Sequence, residues 1–360
     1  MDIEDKIATI RSFSAEIVTE QELRELLEGK EHPVAYDGFE PSGLAGIHFG
    51  IMRARNLKKL QSAGVHFKLY LGEYFAYLNN KLEGNIEHIE KTERYFIEVW
   101  KAAGIDMKKV EVVKDRELMS EFGYWDRFMK IGKEVSLERV KRAITIMGRA
   151  EGESVSAGQI FYPIMQATDV FELDVDICQL GIDQRKANIL AREVAQKYKW
   201  KVPVIVSHPL LLSLKGMPPD LKTKDESVLM EYKMSKSDPK NSISVHDSFD
   251  EIKGKIKNAY CPEKVVAGNP MFDYLDKIIL EDKMQEIIIE RPEKFGGNIN
   301  AQGFVELAKI YEAGKLHPMD LKNFVTQELD KKILPIREHF ENNKEAKKLY
   351  EEVRSYSVTR

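Results

Sequence analysis

The sequence of 360 residues has only two cysteines, Cys178 and Cys261, and no long run of apolar residues. Two cysteines are too few for a disulfide framework or for a zinc site with four cysteine ligands. A membrane-spanning helix would need about 18 consecutive apolar residues. Residues 1–6 are largely polar and acidic, and no apolar core of a signal peptide follows them. We therefore expect a cytoplasmic protein without a membrane partner.

The charged residues show no excess of positive charge that would identify a nucleic-acid partner. The formal net charge is −4, and 43% of the residues are hydrophobic. A chain with this balance has no bulk attraction for RNA, so any RNA contact must come from local groups. The length allows sizeable cores and two or three domains.

Short apolar runs alternate with longer amphipathic segments between residues 34 and 206. The runs predict strands at 34–36, 67–71, 110–113, 175–178 and 202–206. The amphipathic segments predict helices at 47–63, 85–103, 117–133, 136–150, 162–171 and 184–198. This alternation is typical of an α/β fold in which helices cover both faces of a parallel sheet. Before it, residues 5–29 are predicted to be helical, with a capping box at Thr19 and Glu22.

The alternation ends after residue 206. Residues 213–232 contain Gly216 and the pair Pro218-Pro219, which predict a long irregular loop. Beyond residue 247 the pattern is helical and ends in a charged helix at 342–355. The predicted domains are an N-terminal helical segment (1–31), an α/β domain (32–206), a linker (207–246) and a helical domain (247–360).

The linker contains the most specific motif of the chain, residues 233–237. Lys233 and Lys236 are three residues apart, and the small hydroxyl side chains of Ser235 and Ser237 accompany them. Two ammonium groups at this spacing suit a polyphosphate whose charge changes during a reaction. An isolated run of lysine and serine is more often a solvated surface loop, so the motif needs a partner elsewhere in the sequence.

A turn rich in glycine and proline follows the first predicted strand and supplies that partner. Small residues in this turn let a nucleotide approach the backbone, and the start of the next helix presents N–H groups to phosphate. His48 lies in the first turn of this helix, where it is placed to donate a hydrogen bond to an α-phosphate. Taken alone, such a turn is generic and its histidine is more often structural.

The two motifs together resemble the two signatures of the class I aminoacyl-tRNA synthetases. Further segments resemble the archaeal and eukaryotic tyrosyl branch of that family, namely 36–43, 162–169, 181–186, 291–297 and 316–322. The resemblance implies a Rossmann-like catalytic domain at 32–206, a C-terminal α-helical anticodon-binding domain at 247–360, and a homodimer. It also implies that L-tyrosine, ATP and tRNA(Tyr) are the substrates, with Mg²⁺ carried on the ATP phosphates. We find no dedicated protein ligands for the metal.

The resemblance assigns roles to individual residues. The catalytic residues are His48, Lys233 and Lys236. L-Tyrosine would be bound by Tyr36, Tyr162, Gln166, Asp169 and Gln184, with Tyr36 and Asp169 at the phenol. ATP would be bound by Gly38, Glu40, Ser42, Gly43, His48, Gly50, Asp183, Lys233, Met234, Ser235, Lys236 and Ser237. tRNA would be contacted by Arg142, Arg185, Phe295, His317 and Asp320.

Spacing alone groups three of the residues that the resemblance assigns to tyrosine, although it does not indicate a ligand. Tyr162, Gln166 and Asp169 are separated by four and three residues, which places them on one face of a helix. An ordinary polar helix face has the same spacing. The sequence also departs from the family, because Ile51 follows Gly50 where a second signature histidine is common.

Three other functions compete with a tyrosine enzyme. A tryptophanyl-tRNA synthetase shares the fold and both signatures, but Asp169 and the segments 291–297 and 316–322 favour tyrosine. An RNA-binding scaffold without catalysis would not need His48 and both signature lysines. A small-molecule nucleotidyltransferase would not need the helical region after residue 246.

Overall fold

The computed structural model describes residues 1–148, 154–221 and 226–357. The chain forms two compact units. The first consists of residues 1–43, residues 55–209 and the C-terminal residues from Glu351 onward, and the second consists of residues 44–54 and 210–350. In the described ranges, no helix is both long and apolar enough to span a bilayer.

The first unit is built on a six-stranded sheet. Its strands are β1 (Glu16–Val18), β2 (Val34–Phe39), β3 (His66–Leu71), β4 (Val110–Lys114), β5 (Ile177–Cys178) and β6 (Val204–Ser207). They lie in the order β1-β6-β5-β2-β3-β4, and all neighbours are parallel except β1 and β6. The sheet confirms the predicted α/β, Rossmann-like class and all five predicted strands.

Strand β1 corrects the prediction of one helix at 5–29. That segment forms two helices, α1 (Ile3–Arg11) and α2 (Glu20–Gly29), on either side of the strand. β1 has three half-buried residues and shows no alternation, and it exists because its backbone pairs with β6. Such long-range pairing leaves no local signal. The capping box at Thr19 and Glu22 is confirmed.

The other helices of the first unit surround the sheet. They are α3 (Ala54–Ser62), α4 (Glu73–Leu78), α5 (Ile86–Ala102), α6 (Asp115–Met119), α7 (Phe122–Glu134), α8 (Leu137–Ala143), α9 (Ala157–Glu172) and α10 (Arg185–Tyr198). The helix predicted at 117–133 is divided between α6 and α7, because Glu121 has an extended backbone. The prediction at 136–150 becomes α8 and a 3-10 turn, Ile144–Met147, and its last two residues lie outside the described ranges. Helix α4 was not predicted.

The parallel strands β2, β5 and β6 end at the same edge of the sheet. The segments that follow them are the glycine-rich turn after Phe39, residues 179–184 and His208. In open α/β sheets the carboxyl ends of the strands are where ligands bind. A buried apolar cluster with residues from the sheet, α7, α9 and α10 supports this edge.

The second unit is mainly helical, as predicted beyond residue 247. It contains a π-helical turn (His48–Arg53), α11 (Glu226–Tyr232), α12 (Phe249–Lys257), α13 (Pro270–Tyr274), α14 (Gly303–Glu312), α15 (Pro318–Asn342) and the greater part of α16 (Lys344–Arg354). An antiparallel hairpin, β7 (Glu286–Ile289) and β8 (Ile299–Gln302), was missed. Residues 287–289 of β7 are all isoleucine although Ile288 is 48% exposed, so the sequence lacks the polar–apolar alternation of a half-exposed strand. The loop prediction at 213–232 was wrong at its end, where α11 forms.

Candidate active site

Asp169 and Tyr36 form the centre of a buried polar pocket in the first unit. Asp169 lies in α9 and Tyr36 in β2, and each is 1% exposed. The hydroxyl group of Tyr124 donates a hydrogen bond to Oδ1 of Asp169 at 3.1 Å. The other oxygen, Oδ2, and the hydroxyl group of Tyr36 have no hydrogen-bond partner within the described part of the chain, and the hydroxyl of Tyr70 faces the carboxylate without a hydrogen bond of normal geometry. Buried polar atoms are normally paired, so this group points to a missing polar ligand.

Burial also shifts the pKa values of the carboxyl and phenol groups in this pocket. It raises the pKa of Asp169 well above its ordinary value, and the facing hydroxyls of Tyr70 and Tyr124 oppose part of that increase. Burial raises the pKa values of Tyr36 and Tyr70 as well, and the charge of Asp169 adds to both shifts. The phenol groups therefore keep their protons at neutral pH. An incoming hydroxyl can accept a hydrogen bond from Tyr36 and share a proton with Asp169.

A second polar group lies in the same unit around Tyr162, Gln166 and Gln184. Tyr162 donates to Oε1 of Glu40 at 2.6 Å, and Asn79 donates to the same atom at 3.0 Å. Gln166 donates through Nε2 to Oε1 of Gln184 at 3.2 Å. A carboxylate and two amides offer both acceptors and donors, which suits a ligand with an ammonium and a carboxylate group.

The predicted spacing on α9 is confirmed, since Tyr162, Gln166 and Asp169 all lie in this helix and are buried. Sequence analysis missed Tyr124 and Tyr70, whose hydroxyl groups face Asp169. The ring of Phe75 packs edge-on against Tyr162 with 4.6 Å between centroids. The buried residues of α7 recur at helical spacing, so Tyr124 has the pattern of a core residue, and only the fold reveals its contact with Asp169.

The glycine-rich turn is distributed over the two units. Gly38 lies in β2, and Glu40 and Ser42 follow the strand. Gly43 has a φ angle of 105°, a conformation that side chains with a Cβ rarely adopt. Gly50 lies in the π-helical turn that begins at His48, in the second unit.

The second unit brings the two signature segments together. The carbonyl group of Ala45 accepts a hydrogen bond from the N–H of Val245, and the carbonyl of Ile243 accepts one from Ile47. A Cβ on residue 46 would lie 2.8 Å from Nδ1 of His48, so Gly46 is needed for the histidine to take this position. The first signature is therefore held against residues 243–245, which lie a few residues after the second signature.

The lysine loop combines a fixed anchor with exposed polar groups. Met234 is buried, and its N–H donates to the carbonyl of Leu211 at 2.7 Å. The Oγ atoms of Ser235 and Ser237 are 2.8 Å apart. Nζ of Lys236 lies 5.8 Å from the ring centroid of Phe49, the residue after His48. The cation of the second signature thus lies over the first signature, where both can face one anionic ligand.

The predicted tRNA contacts lie in different environments. Arg291 connects the segment 291–297 to the segment 316–322. Its Nε donates to the carbonyl of Gly297 at 2.9 Å, and its Nη1 lies 3.6 Å from Oδ2 of Asp320. Phe295, within this loop, is 60% exposed, and His317 caps α15. An exposed ring beside polar groups can stack on an unpaired base.

Two of the predicted tRNA contacts, Arg142 and Arg185, belong to the first unit. Arg142 is exposed near the end of α8. Arg185, at the start of α10, donates through Nε to Oε2 of Glu16 at 2.7 Å. This ion pair would have to be exchanged or shared when Arg185 contacts a phosphate group.

Metal ligands are not clustered in the parts of the chain that the structure describes. Residues 1–148, 154–221 and 226–357 contain no group of three or more His, Cys, Asp and Glu side chains that could hold an ion. The candidate site is thus made of hydroxyl, amide, carboxylate and ammonium groups.

Comparisons with known proteins agree with this geometry. The family described as class I tRNA synthetases (W and Y) matches residues 28–333. The cytoplasmic tyrosine–tRNA ligase 1 of Arabidopsis thaliana is 43% identical, over 100% of this chain and 90% of its own length. The tyrosine–tRNA ligase of Sulfurisphaera tokodaii is 40% identical, over 100% of this chain and 99% of its own.

Solved structures are similar over the same extent. The tyrosyl-tRNA synthetase of Pyrococcus horikoshii, crystallised with L-tyrosine, has a TM-score of 0.90 and 36% identity, and the match covers 98% of this chain and 100% of that one. The tyrosyl-tRNA synthetase of Aeropyrum pernix has a TM-score of 0.85 and 35% identity, covering 98% and 99%. The similarity therefore includes both compact units.

Proposed function

The chain belongs to the class I tRNA synthetases of the tryptophan and tyrosine group, and we propose that it charges tRNA(Tyr) with L-tyrosine. In the first step the tyrosine carboxylate attacks the α-phosphorus of ATP, and pyrophosphate leaves. In the second step a hydroxyl of the terminal tRNA ribose attacks the carbonyl carbon of tyrosyl-adenylate, and AMP leaves. Positioning and charge stabilisation are sufficient for the first step, which needs no side-chain nucleophile.

The observation that carries the choice of tyrosine is the set of unpaired atoms around Asp169. A phenol hydroxyl both donates and accepts, so it can bond to Oδ2 of Asp169 and to the hydroxyl of Tyr36 together. An indole N–H only donates, which would leave the Tyr36 hydroxyl buried without a partner. The phenyl ring of phenylalanine would leave both Oδ2 of Asp169 and the Tyr36 hydroxyl without a partner. Each buried polar group left unpaired costs about 1–3 kcal/mol, so the pocket favours tyrosine over both alternatives.

The hydroxyl and amide groups of the second polar group would hold the rest of the amino acid. We assign the ammonium and carboxylate groups of tyrosine to Tyr162, Gln166 and Gln184. The hydrogen bond between Gln166 and Gln184 orients both amides before the substrate arrives. Preorganised partners reduce the entropy lost on binding.

ATP would be bound by the glycine-rich turn, Asp183 and the lysine loop. Asp183 would accept hydrogen bonds from the ribose, as carboxylates do in many nucleotide sites. His48, Lys233 and Lys236 would stabilise the charge that develops on the α-phosphate and the departing pyrophosphate. Mg²⁺ would enter with ATP on its phosphate groups, as part of the substrate.

Two regions would read the tRNA. Arg142 and Arg185 would contact the acceptor end, where a guanidinium group can bind phosphate or a guanine edge. Phe295, His317 and Asp320 would bind the anticodon, and residues 247–360 would form the anticodon-binding domain. Each phosphate contact releases counterions, so we expect binding to weaken with salt.

We also propose that the protein is a homodimer in the cytoplasm, and an apolar face on α7 and α9 supports the dimer. Phe122, Met129 and Phe161 are 83%, 67% and 49% exposed, and Trp125 is 41% exposed. Trp125 and Phe161 both pack against Phe128, so the face is continuous. Exposed apolar patches of this kind mark association surfaces, and a two-fold dimer would use the same face of both subunits.

The deciding experiment is amino-acid-dependent exchange of pyrophosphate into ATP, followed by charging of tRNA(Tyr). We expect exchange with L-tyrosine, far less with L-phenylalanine or L-tryptophan, and tyrosylation of the tRNA. Preferred exchange with tryptophan would favour the tryptophan enzyme. No exchange with any amino acid would favour an RNA-binding scaffold or another nucleotidyltransferase, and either result would refute the proposal.

A further inference from the structure

Asn79 is a buried amide to which the proposed function assigns no role. It directly follows α4 and is 1% exposed. Its Nδ2 lies 3.0 and 3.2 Å from the two carboxylate oxygens of Glu40, and 3.1 Å from the carbonyl oxygen of Met147. All of these atoms are acceptors, so the nitrogen of the amide, and not its oxygen, must face them. One N–H is therefore shared between the oxygens of Glu40, and the other is donated to Met147.

The backbone after Asn79 brings a second donor to Glu40. Left-handed conformations, uncommon for residues with a side chain, occur at three positions of this turn, with φ angles of 54°, 51° and 61° for Asn80, Leu82 and Glu83. Between them, Lys81 places its Nζ 3.9 Å from Oε2 of Glu40. Strained backbone of this kind is concentrated at functional sites, where the surrounding structure holds it in place. The turn thus presents an amide and an ammonium group to one carboxylate.

The carboxylate of Glu40 in turn determines how the hydroxyl of Tyr162 is used. Tyr162 donates to Oε1 of Glu40 at 2.6 Å. Burial raises the pKa of Tyr162 well above its ordinary value, and the charge of Glu40 adds to the shift, so the hydroxyl keeps this proton at neutral pH. Because the proton is directed to Glu40, the hydroxyl oxygen has only lone pairs to offer a ligand. An ammonium group carries donors alone and needs such an acceptor.

We propose that Asn79, assisted by Lys81, is a positioning residue for the amino group of the substrate. It fixes the carboxylate of Glu40, which keeps the hydroxyl of Tyr162 as an acceptor for the ammonium group. The inference rests on the proposed function, in which Tyr162 belongs to the group that holds the ammonium and carboxylate of tyrosine. It deepens that function, because a residue outside both signatures then contributes to the selection of an amino acid over the same acid without an amino group.

The test compares the dissociation constants of L-tyrosine and 3-(4-hydroxyphenyl)propionate, which lacks only the amino group, by calorimetric titration. The parent protein should bind tyrosine about 10- to 150-fold more tightly, as for one hydrogen bond to a charged group. Asn79→Ala should reduce this preference about tenfold, through weaker binding of tyrosine, and bind the other acid as the parent does. Lys81→Met should reduce it about threefold, because its ion pair with Glu40 is longer and partly exposed.

A double-mutant cycle separates positioning from a general structural role. Tyr162→Phe removes the hydroxyl through which Asn79 would act. In that background Asn79→Ala should cause no further loss of preference, whereas independent effects would add. Asn269→Ala is the matched control, since Asn269 is also 1% exposed and donates through Nδ2 to the carbonyl of Val265 at 3.0 Å, in the second unit. This variant should keep the preference of the parent.

Three results would overturn the inference while leaving the proposed function intact. The first is a parent protein that exchanges pyrophosphate with tyrosine but binds both acids equally. The second is a folded Asn79→Ala variant that keeps the preference or binds both acids more weakly to the same extent; if this variant does not fold, Lys81→Met is judged by the same criterion. The third is additivity with Tyr162→Phe. Absence of tyrosine-dependent exchange in the parent would refute the proposed function itself, and the inference with it.

Discussion

Replacing Asp169 by asparagine should make the protein more stable and less selective at the same time. Asp169 is fully enclosed, and burial raises the pKa of its carboxyl group. An acid with a raised pKa binds its proton more tightly in the folded state than in the unfolded state. The folded state therefore loses stability as pH rises above the unfolded value of about 3.9. Asparagine removes this cost, because it carries no charge at any pH.

The geometry around Asp169 gives the other half of the prediction. In Asp169→Asn, the amide oxygen can still accept from Tyr124, and the new N–H₂ group can donate to the unpaired hydroxyl of Tyr36 or Tyr70. The free pocket becomes better satisfied, but the acceptor for the substrate phenol is lost. A hydrogen bond to a charged group contributes about 1.5–3 kcal/mol, so the preference for tyrosine over phenylalanine should fall about 10- to 150-fold.

The assay measures kcat/KM for tyrosine and phenylalanine in pyrophosphate exchange, together with thermal unfolding at pH 7. Asp176→Asn is the matched control. Asp176 is also buried, but its Oδ2 accepts from Lys30 at 2.6 Å and from the N–H of Val34 at 2.7 Å. Removing a paired carboxylate should lower stability and leave amino-acid selectivity unchanged.

Two outcomes would contradict the reasoning. An Asp169→Asn variant with unchanged selectivity would mean that the carboxylate does not contact the phenol. A variant with a lower unfolding temperature would mean that the carboxylate is stabilised in the free protein by partners that the described contacts do not include. Observing the same loss of selectivity in Asp176→Asn would show that the assay reports general disturbance of the unit.

Three further predictions concern other parts of the molecule. Lys236→Ala should lower the rate of tyrosine activation about 10²- to 10³-fold with little change in tyrosine affinity, and unchanged pre-steady-state activation would exclude the lysine from catalysis. Phe295→Ala, which removes an exposed ring, should weaken tRNA binding by about 1–3 kcal/mol without affecting pyrophosphate exchange; a loss of exchange would contradict its assignment to tRNA. Burial raises the pKa of Asp115 to about 7, so the parent should lose stability as pH rises from about 4 to 7. Asp115→Asn should flatten that dependence in urea unfolding, and an unchanged slope would assign it to other groups.

The sequence was sufficient for features that depend on local patterns. The alternation of strands and helices predicted the sheet of the first unit, and the spacing of Tyr162, Gln166 and Asp169 predicted their common helix. Both signatures were identifiable because each is a contiguous segment with unusual composition. The structure adds that residues 45–47 and 243–245 hold the two segments together by backbone hydrogen bonds.

Features that depend on distant pairing were missed. β1 is a strand only because β6 lies beside it, and the hairpin of β7 and β8 depends on the pairing of its two strands. The division between α6 and α7 follows from a single extended residue, Glu121. The spacing of apolar residues over a short window does not distinguish β1 or the break between α6 and α7 from a continuous helix. It does not reveal the hairpin either.

The residues that sequence analysis missed in the site share a physical cause. Tyr124 and Tyr70 face the carboxylate of Asp169 from other elements, and each is buried like any core residue. Such a residue becomes recognisable only when the hydrogen bonds of its neighbours are counted. Around Asp169 this count, taken over the described residues, leaves one oxygen of Asp169 and the hydroxyls of Tyr36 and Tyr70 without a hydrogen bond of normal geometry. The free protein therefore bears a desolvation cost that a phenol relieves, and the same atoms that lower its stability give the site its selectivity.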